Sequence, residues 1–121
     1  MIARLAVIAV IVVASVLLPV NPTHAAGTRT VDIKVKAGKV IGFQSIRVLR
    51  GDTVVLRWNS DQRLQLHLHG YDVEAIVSPG MPIEMKIHAR ATGRFPVETH
   101  GQSRSGGHGH APLFYLEVYP D

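Results

Sequence analysis

The run from Leu64 to Asp72, LQLHLHGYD, alternates leucine with Gln65, His67 and His69 and stops at Gly70. In an extended strand, side chains two apart share one face at a spacing of roughly 6.6 Å. His67 and His69 therefore point the same way, while Leu64, Leu66 and Leu68 point into a core. Imidazoles so placed can lean toward one ion, at metal–nitrogen distances of about 2 Å. An isolated His-X-His reads equally as two solvated side chains, so a second group of donors has to decide. That group is the stretch HGQSRSGGHGH, which carries His100, His108 and His110. A Gly- and His-rich loop is polar and exposed, and its histidines have no packing role.

The combined set is His67, His69, His100, His108 and His110. Nitrogen donors of this kind suit Cu(II), Zn(II) or Ni(II). Copper comes first by the Irving–Williams order, with zinc and nickel behind it. Asp72 has two readings: it orients an imidazole through an outer hydrogen bond, or it caps the turn after Gly70. His88, between Lys86 and Arg90, reads as a surface side chain, and Met85 as core. Met81, flanked by Pro79, Gly80 and Pro82, is open to packing or to a thioether role.

The chain has no cysteine. Disulfides, thiolate metal sites and a cysteine nucleophile are thereby excluded. No Gly-x-Ser-x-Gly, phosphate loop or dinucleotide fingerprint occurs. Ser103 and Ser105 sit in a glycine-rich stretch that preorganises nothing, and Asp72, Glu74 and Glu98 form no persuasive acid–base pair. The expectation is a binding protein, not an enzyme.

The elements that must position these residues are strands. Apolar residues recur at period two in VDIKV, SIRVL, LQLHLH, PIEMKIHA, TGRFPVET and LFYLEVYP. TVVLRWN is more continuous, as expected of a strand covered on both faces. Turn signals at Gly38, Gly51-Asp52, Ser60-Asp61, Gly70, Ser78-Pro79-Gly80 and Gly93 separate the runs. No segment has a helical pattern. The spacing predicts an all-β sandwich of about seven to eight strands. The end of the histidine strand and the glycine-rich loop are expected to meet at one pole of it.

Arg4, the apolar run Leu5 to Leu18 and the Thr-His-Ala ending near Ala25 predict a secretory signal peptide over residues 1–25. A single domain then covers residues 26–121, with no membrane span after cleavage and a periplasmic or secreted location. A domain of that size buries roughly 60–65% of its unfolded surface, enough to fold without staples. Removing Arg4 leaves 12 Lys and Arg against 9 Asp and Glu. These charges are scattered, and Tyr, Phe and Trp are few, so no nucleic-acid partner is expected.

The order of these elements resembles the cupredoxins. GDTVVLRWNSD leads to a histidine strand, and TGRFPVETHG is followed after a loop by HGHAPLFYLEV. The resemblance implies a cupredoxin-like Greek-key β-sandwich, with a first ligand at His67 or His69 and the rest from the loop before the last strand. Thr99 falls where the family's cysteine stands. A blue Cu–thiolate centre is therefore ruled out, and any copper is held by imidazoles for metal handling. HLHG also looks like the His-X-His-Gly element of multicopper oxidases. The competing expectation is a metal-free module that docks onto an envelope protein partner.

Overall fold

The protein is described by a computed structural model over residues 14–100 and 111–121. Among them the period-two pattern forms nine strands: β1 (Thr28–Lys36), β2 (Lys39–Val40), β3 (Ser45–Leu49), β4 (Thr53–Ser60), β5 (Leu64–Leu68), β6 (Val73–Val77), β7 (Ile83–His88), β8 (Gly93–His100) and β9 (Phe114–Tyr119). One sheet has the order β2-β1-β4-β7 and the other β3-β9-β8-β5-β6. The pairs β1–β4 and β3–β9 run parallel, and the remaining ladders are antiparallel. Such non-consecutive neighbours are the crossovers of a Greek-key sandwich.

The fold is all-β, as the sequence predicts, with two strands more than the seven apolar runs named. One is β2, only two residues long. The other is β6, in which small Ala75 faces the core side and Ile76 is exposed, which blurs the alternation. Inward side chains of both sheets make one core. Leu64, Leu66 and Leu68 of β5 meet Val54, Leu56 and Trp58 of β4 and Phe114, Leu116 and Val118 of β9 within it. Each such leucine contributes roughly 1.5–3 kcal/mol by leaving water. Trp58 and Phe114 meet edge to face with ring centroids 5.8 Å apart, an arrangement that aligns the ring quadrupoles favourably.

β4 departs from expectation. It is central in its sheet, but Arg57 is exposed and Val55 only half-buried. One face alone is covered, so its apolar run reflects a single core face plus one extra valine.

The β1–β2 hairpin turns through Ala37 and Gly38, at φ of 51° and 75°. A two-residue turn with positive φ at both positions suits Asn-Gly, whereas alanine there costs about 1–2 kcal/mol. Asp61 helps to hold it, accepting the Ala37 N–H at 3.1 and 3.2 Å. Ala37→Asn should therefore raise stability by about 1 kcal/mol, read as a higher denaturation midpoint with unchanged slope.

The turn before β4 is pinned by Asp52. Its carboxylate accepts from His24 Nε2 at 2.9 Å, from Gly27 N–H at 3.1 Å and from Leu49 N–H at 3.0 Å. The His24 contact first, then the two backbone donors, lower the Asp52 pKa from 3.8 to about 2. A depressed carboxyl contributes stability that is complete above its unfolded pKa and is lost as pH falls through the folded value. Stability should therefore drop between about pH 4 and pH 2, and Asp52→Asn should flatten that limb of an acid titration. His24 lies in the segment expected to be cleaved. Cleavage after Ala25 would leave the two backbone donors to act alone.

Residues 14–27 carry no regular structure, and Val16, Leu17, Leu18 and Val20 are exposed and take no part in the core. Among the described residues no helix is long and apolar enough to cross a membrane. The start of the apolar run, residues 1–13, lies outside the described residues.

Candidate metal centre

β5 buries Leu64, Leu66 and Leu68 completely or nearly so. Strand parity then turns Gln65, His67 and His69 onto the outer face of the five-stranded sheet. The neighbouring strand β8 runs antiparallel to β5, with Cα partners Gln65↔His100, Leu66↔Thr99, His67↔Glu98 and Leu68↔Val97. Val97 is buried, so Glu98 and His100 share the outer face with the β5 histidines. His100 lies diagonally across from His67, within reach of long side chains.

The three rings meet there. The centroid separations are 4.1 Å for His67–His69, 5.2 Å for His67–His100 and 6.1 Å for His69–His100. His67 Nδ1 is 3.1 Å from His100 Nε2. One ligand atom from each of the three lies within 4.8 Å of the other two. Two nitrogens that each stand about 2.0 Å from one ion are separated by roughly 3 Å at an angle near 100°, so the His67–His100 gap already matches a shared ion. His67 is the most enclosed, with 17% of its side chain exposed, against 38% for His69. His100 is exposed.

Carboxylates ring the cluster. Glu98 Oε2 is 2.9 Å from His69 Nε2. Asp72 Oδ1 is 3.8 Å from His67 Nε2, and this side chain is 91% exposed. That distance is an ion-pair approach and exceeds a hydrogen bond. On the other side, Glu74 of β6 is the Cα partner of His67. His67 thus stands between Glu98 and Glu74 in one row across three strands, in a field that favours cations.

The backbone after the cluster is tightly specified. His69 N–H donates to Pro96 O at 3.0 Å, extending the β5–β8 ladder by one bond. Gly70 then turns at a φ of 86°. A Cβ on Gly70 would stand 2.5 Å from Phe95 Cδ1 and 2.8 Å from Cε1. The Phe95 ring also packs against Tyr71 edge to face at 4.7 Å. Tyr71 OH donates to Ala91 O at 2.8 Å and accepts from Ala91 N–H at 3.2 Å. Gly70 is therefore a packing requirement as well as a turn.

Of the residues singled out in the sequence, the structure brings His67, His69 and His100 together and places Asp72 at the margin. His108 and His110 lie outside the described residues. His88 is exposed at the end of β7, and Met85 is buried in the core. Met81 is exposed beside the β6–β7 turn. The expected meeting at one pole is not what joins the histidines. β8 ends at His100 beside Gln65, where β5 begins, whereas Gly70 follows the opposite end of β5. The rings converge on the flat of the sheet because antiparallel pairing sets them diagonally across two strands. Glu98 is a neighbour of the cluster that the residue types alone do not single out. It stands two positions before His100, and strand parity alone puts it on the same face.

No family model matches the chain, and comparison with curated proteins found no match. Solved structures do resemble it. One is a chain in the cryo-EM structure of a heme-copper terminal oxidase dimer, 20% identical, with a TM-score of 0.60 over 75% of this chain. The present chain spans 65% of that neighbour's length. Another is the NMR solution structure of a copper binding protein in the apo form, 14% identical, with a TM-score of 0.59 over 80% of this chain and 93% of that one. Both likenesses are of fold. They are consistent with the cupredoxin-like architecture that the order of elements implies.

The donor chemistry fits a borderline transition-metal ion. Three imidazoles on two hydrogen-bonded strands suit Cu(II) or Zn(II). Without cysteine, soft thiolate binding has no source.

Proposed function

We propose that this chain is an exported protein that binds copper through His67, His69 and His100, for capture and delivery of the metal and not for blue-copper electron transfer or catalysis. The observation that carries the reading is the three-imidazole cluster, with donor atoms within 4.8 Å of one another on one sheet face. The fold likeness to a copper binding protein supports it. So does the absence of cysteine, which leaves an all-imidazole site with no thiolate to speed electron exchange. The period-two scaffold sets the three side chains on one face before the ion arrives, which lowers the ordering cost of binding. The location outside the cytoplasm rests on the signal-like segment at residues 1–25.

The nitrogen that binds the ion must carry a lone pair and no proton, so acid competes with the ion. Titration calorimetry is expected to show one Cu(II) bound per chain near neutral pH. Affinity should fall by about tenfold or more between about pH 7.5 and pH 5.5, and zinc should bind more weakly than copper. A melting temperature that moves with neither copper, zinc nor chelator would instead support a metal-free module that docks on an envelope protein.

A further inference from the structure

The contact between His69 and Glu98 selects the atoms that meet the ion. An ionised carboxylate only accepts hydrogen bonds. Glu98 Oε2, 2.9 Å from His69 Nε2, therefore places the ring's hydrogen on Nε2. A neutral imidazole so held has its lone pair on Nδ1. His67 is turned the same way, with Nε2 on the Asp72 side at 3.8 Å and Nδ1 facing His100 Nε2 at 3.1 Å. Among the described residues, the donor atoms within 4.8 Å of one another come from the three histidines alone. Glu98 therefore stands outside the set and acts through His69.

We propose that Glu98 is the positioning residue of the metal site, fixing the His69 tautomer so that the ion is held by His67 Nδ1, His69 Nδ1 and His100 Nε2. The assignment rests on the proposed metal reading and goes beyond it by naming the donor atoms and the residue that selects them. The strands supply the rigidity. Glu98 sits opposite His67 in the β5–β8 ladder, and the His69 N–H is tied to Pro96 O at 3.0 Å. Carboxylate and ring therefore face each other across a fixed backbone. Loss of an outer carboxylate of this type typically costs about 10–100-fold in metal affinity.

The test has two arms on the full chain. In the metal-free protein, long-range 1H–15N correlation of the histidine rings should show His69 as the Nε2–H tautomer. Glu98→Ala should mix the two tautomers, while Glu98→Gln, whose side-chain oxygen still accepts, should largely restore the first. With Zn(II) added, the 15N shift of His69 should move at Nδ1, and Zn(II) affinity should fall about 10–100-fold in Glu98→Ala. Metal-dependent movement at His69 Nε2, or a Glu98→Ala variant with unchanged tautomer and affinity, would overturn the proposal. The His67→Ala/His69→Ala variant keeps the two readings apart. If it binds zinc as tightly as the parent, the metal reading itself fails. If it loses binding while Glu98→Ala loses none, only the role of Glu98 fails.

Discussion

Replacing His67 and His69 together by alanine is expected to weaken Cu(II) binding by about a thousandfold or more. The size follows from what a ligand contributes. A four-donor structural zinc site is held by about 10–16 kcal/mol, or roughly 3 kcal/mol per donor, and each 1.4 kcal/mol is tenfold in affinity. Removing two of the three clustered donors leaves, among the described residues, only the exposed His100 of that cluster. Folding should hardly change. His67 and His69 face outward, and the core side of the same strand is carried by Leu64, Leu66 and Leu68. Calorimetry for binding and chemical denaturation for stability would check both halves. A double variant with parental affinity would contradict the assignment of these rings.

The second large effect is expected at Gly70. Its φ of 86° is one that an L-residue adopts at a cost of about 1–2 kcal/mol. The added Cβ of Gly70→Ala would also meet the Phe95 ring at 2.5 and 2.8 Å. That ring is restrained on one side, because Tyr71 packs on it edge to face at 4.7 Å. Overlap in a packed site costs typically about 1–3 kcal/mol. Together the two effects place Gly70→Ala about 2–5 kcal/mol below the parent in stability. Metal affinity should fall too, since His69 precedes the strained turn. Combining it with Phe95→Leu should recover part of the overlap cost and none of the backbone cost, a coupling that a double-mutant cycle resolves. If Gly70→Ala is as stable as the parent, the turn does not constrain the site.

Much of this arrangement was legible in the order of residues. LQLHLH alternates strictly, so both the buried leucines and the outward histidines follow from parity, and the structure has them so. Core positions such as Ile33, Ile46, Val48 and Met85 were readable for the same reason. β6 was not, because Ala75 adds little apolar signal and the outward Ile76 adds it on the wrong face. The outer face of β4 was misjudged because Val55 beside Val54 looks continuous in sequence, whereas Arg57 faces solvent. His100 was found, but strand register brings it to His67, not a shared pole. Pairing register is a long-range property that a single strand does not display. Glu98 was within reach of parity counting back from His100. Its contact with His69 depends on which β8 residue stands beside which β5 residue, and that is set by the ladder.

The most direct test of the central claim, that three imidazoles on one sheet face share a single ion, is electron paramagnetic resonance of the protein loaded with one equivalent of Cu(II). A tetragonal spectrum without blue-copper character is expected, with nitrogen couplings from three histidines that fall to two when His67, His69 or His100 is replaced singly. A spectrum unchanged by all three replacements would contradict the claim.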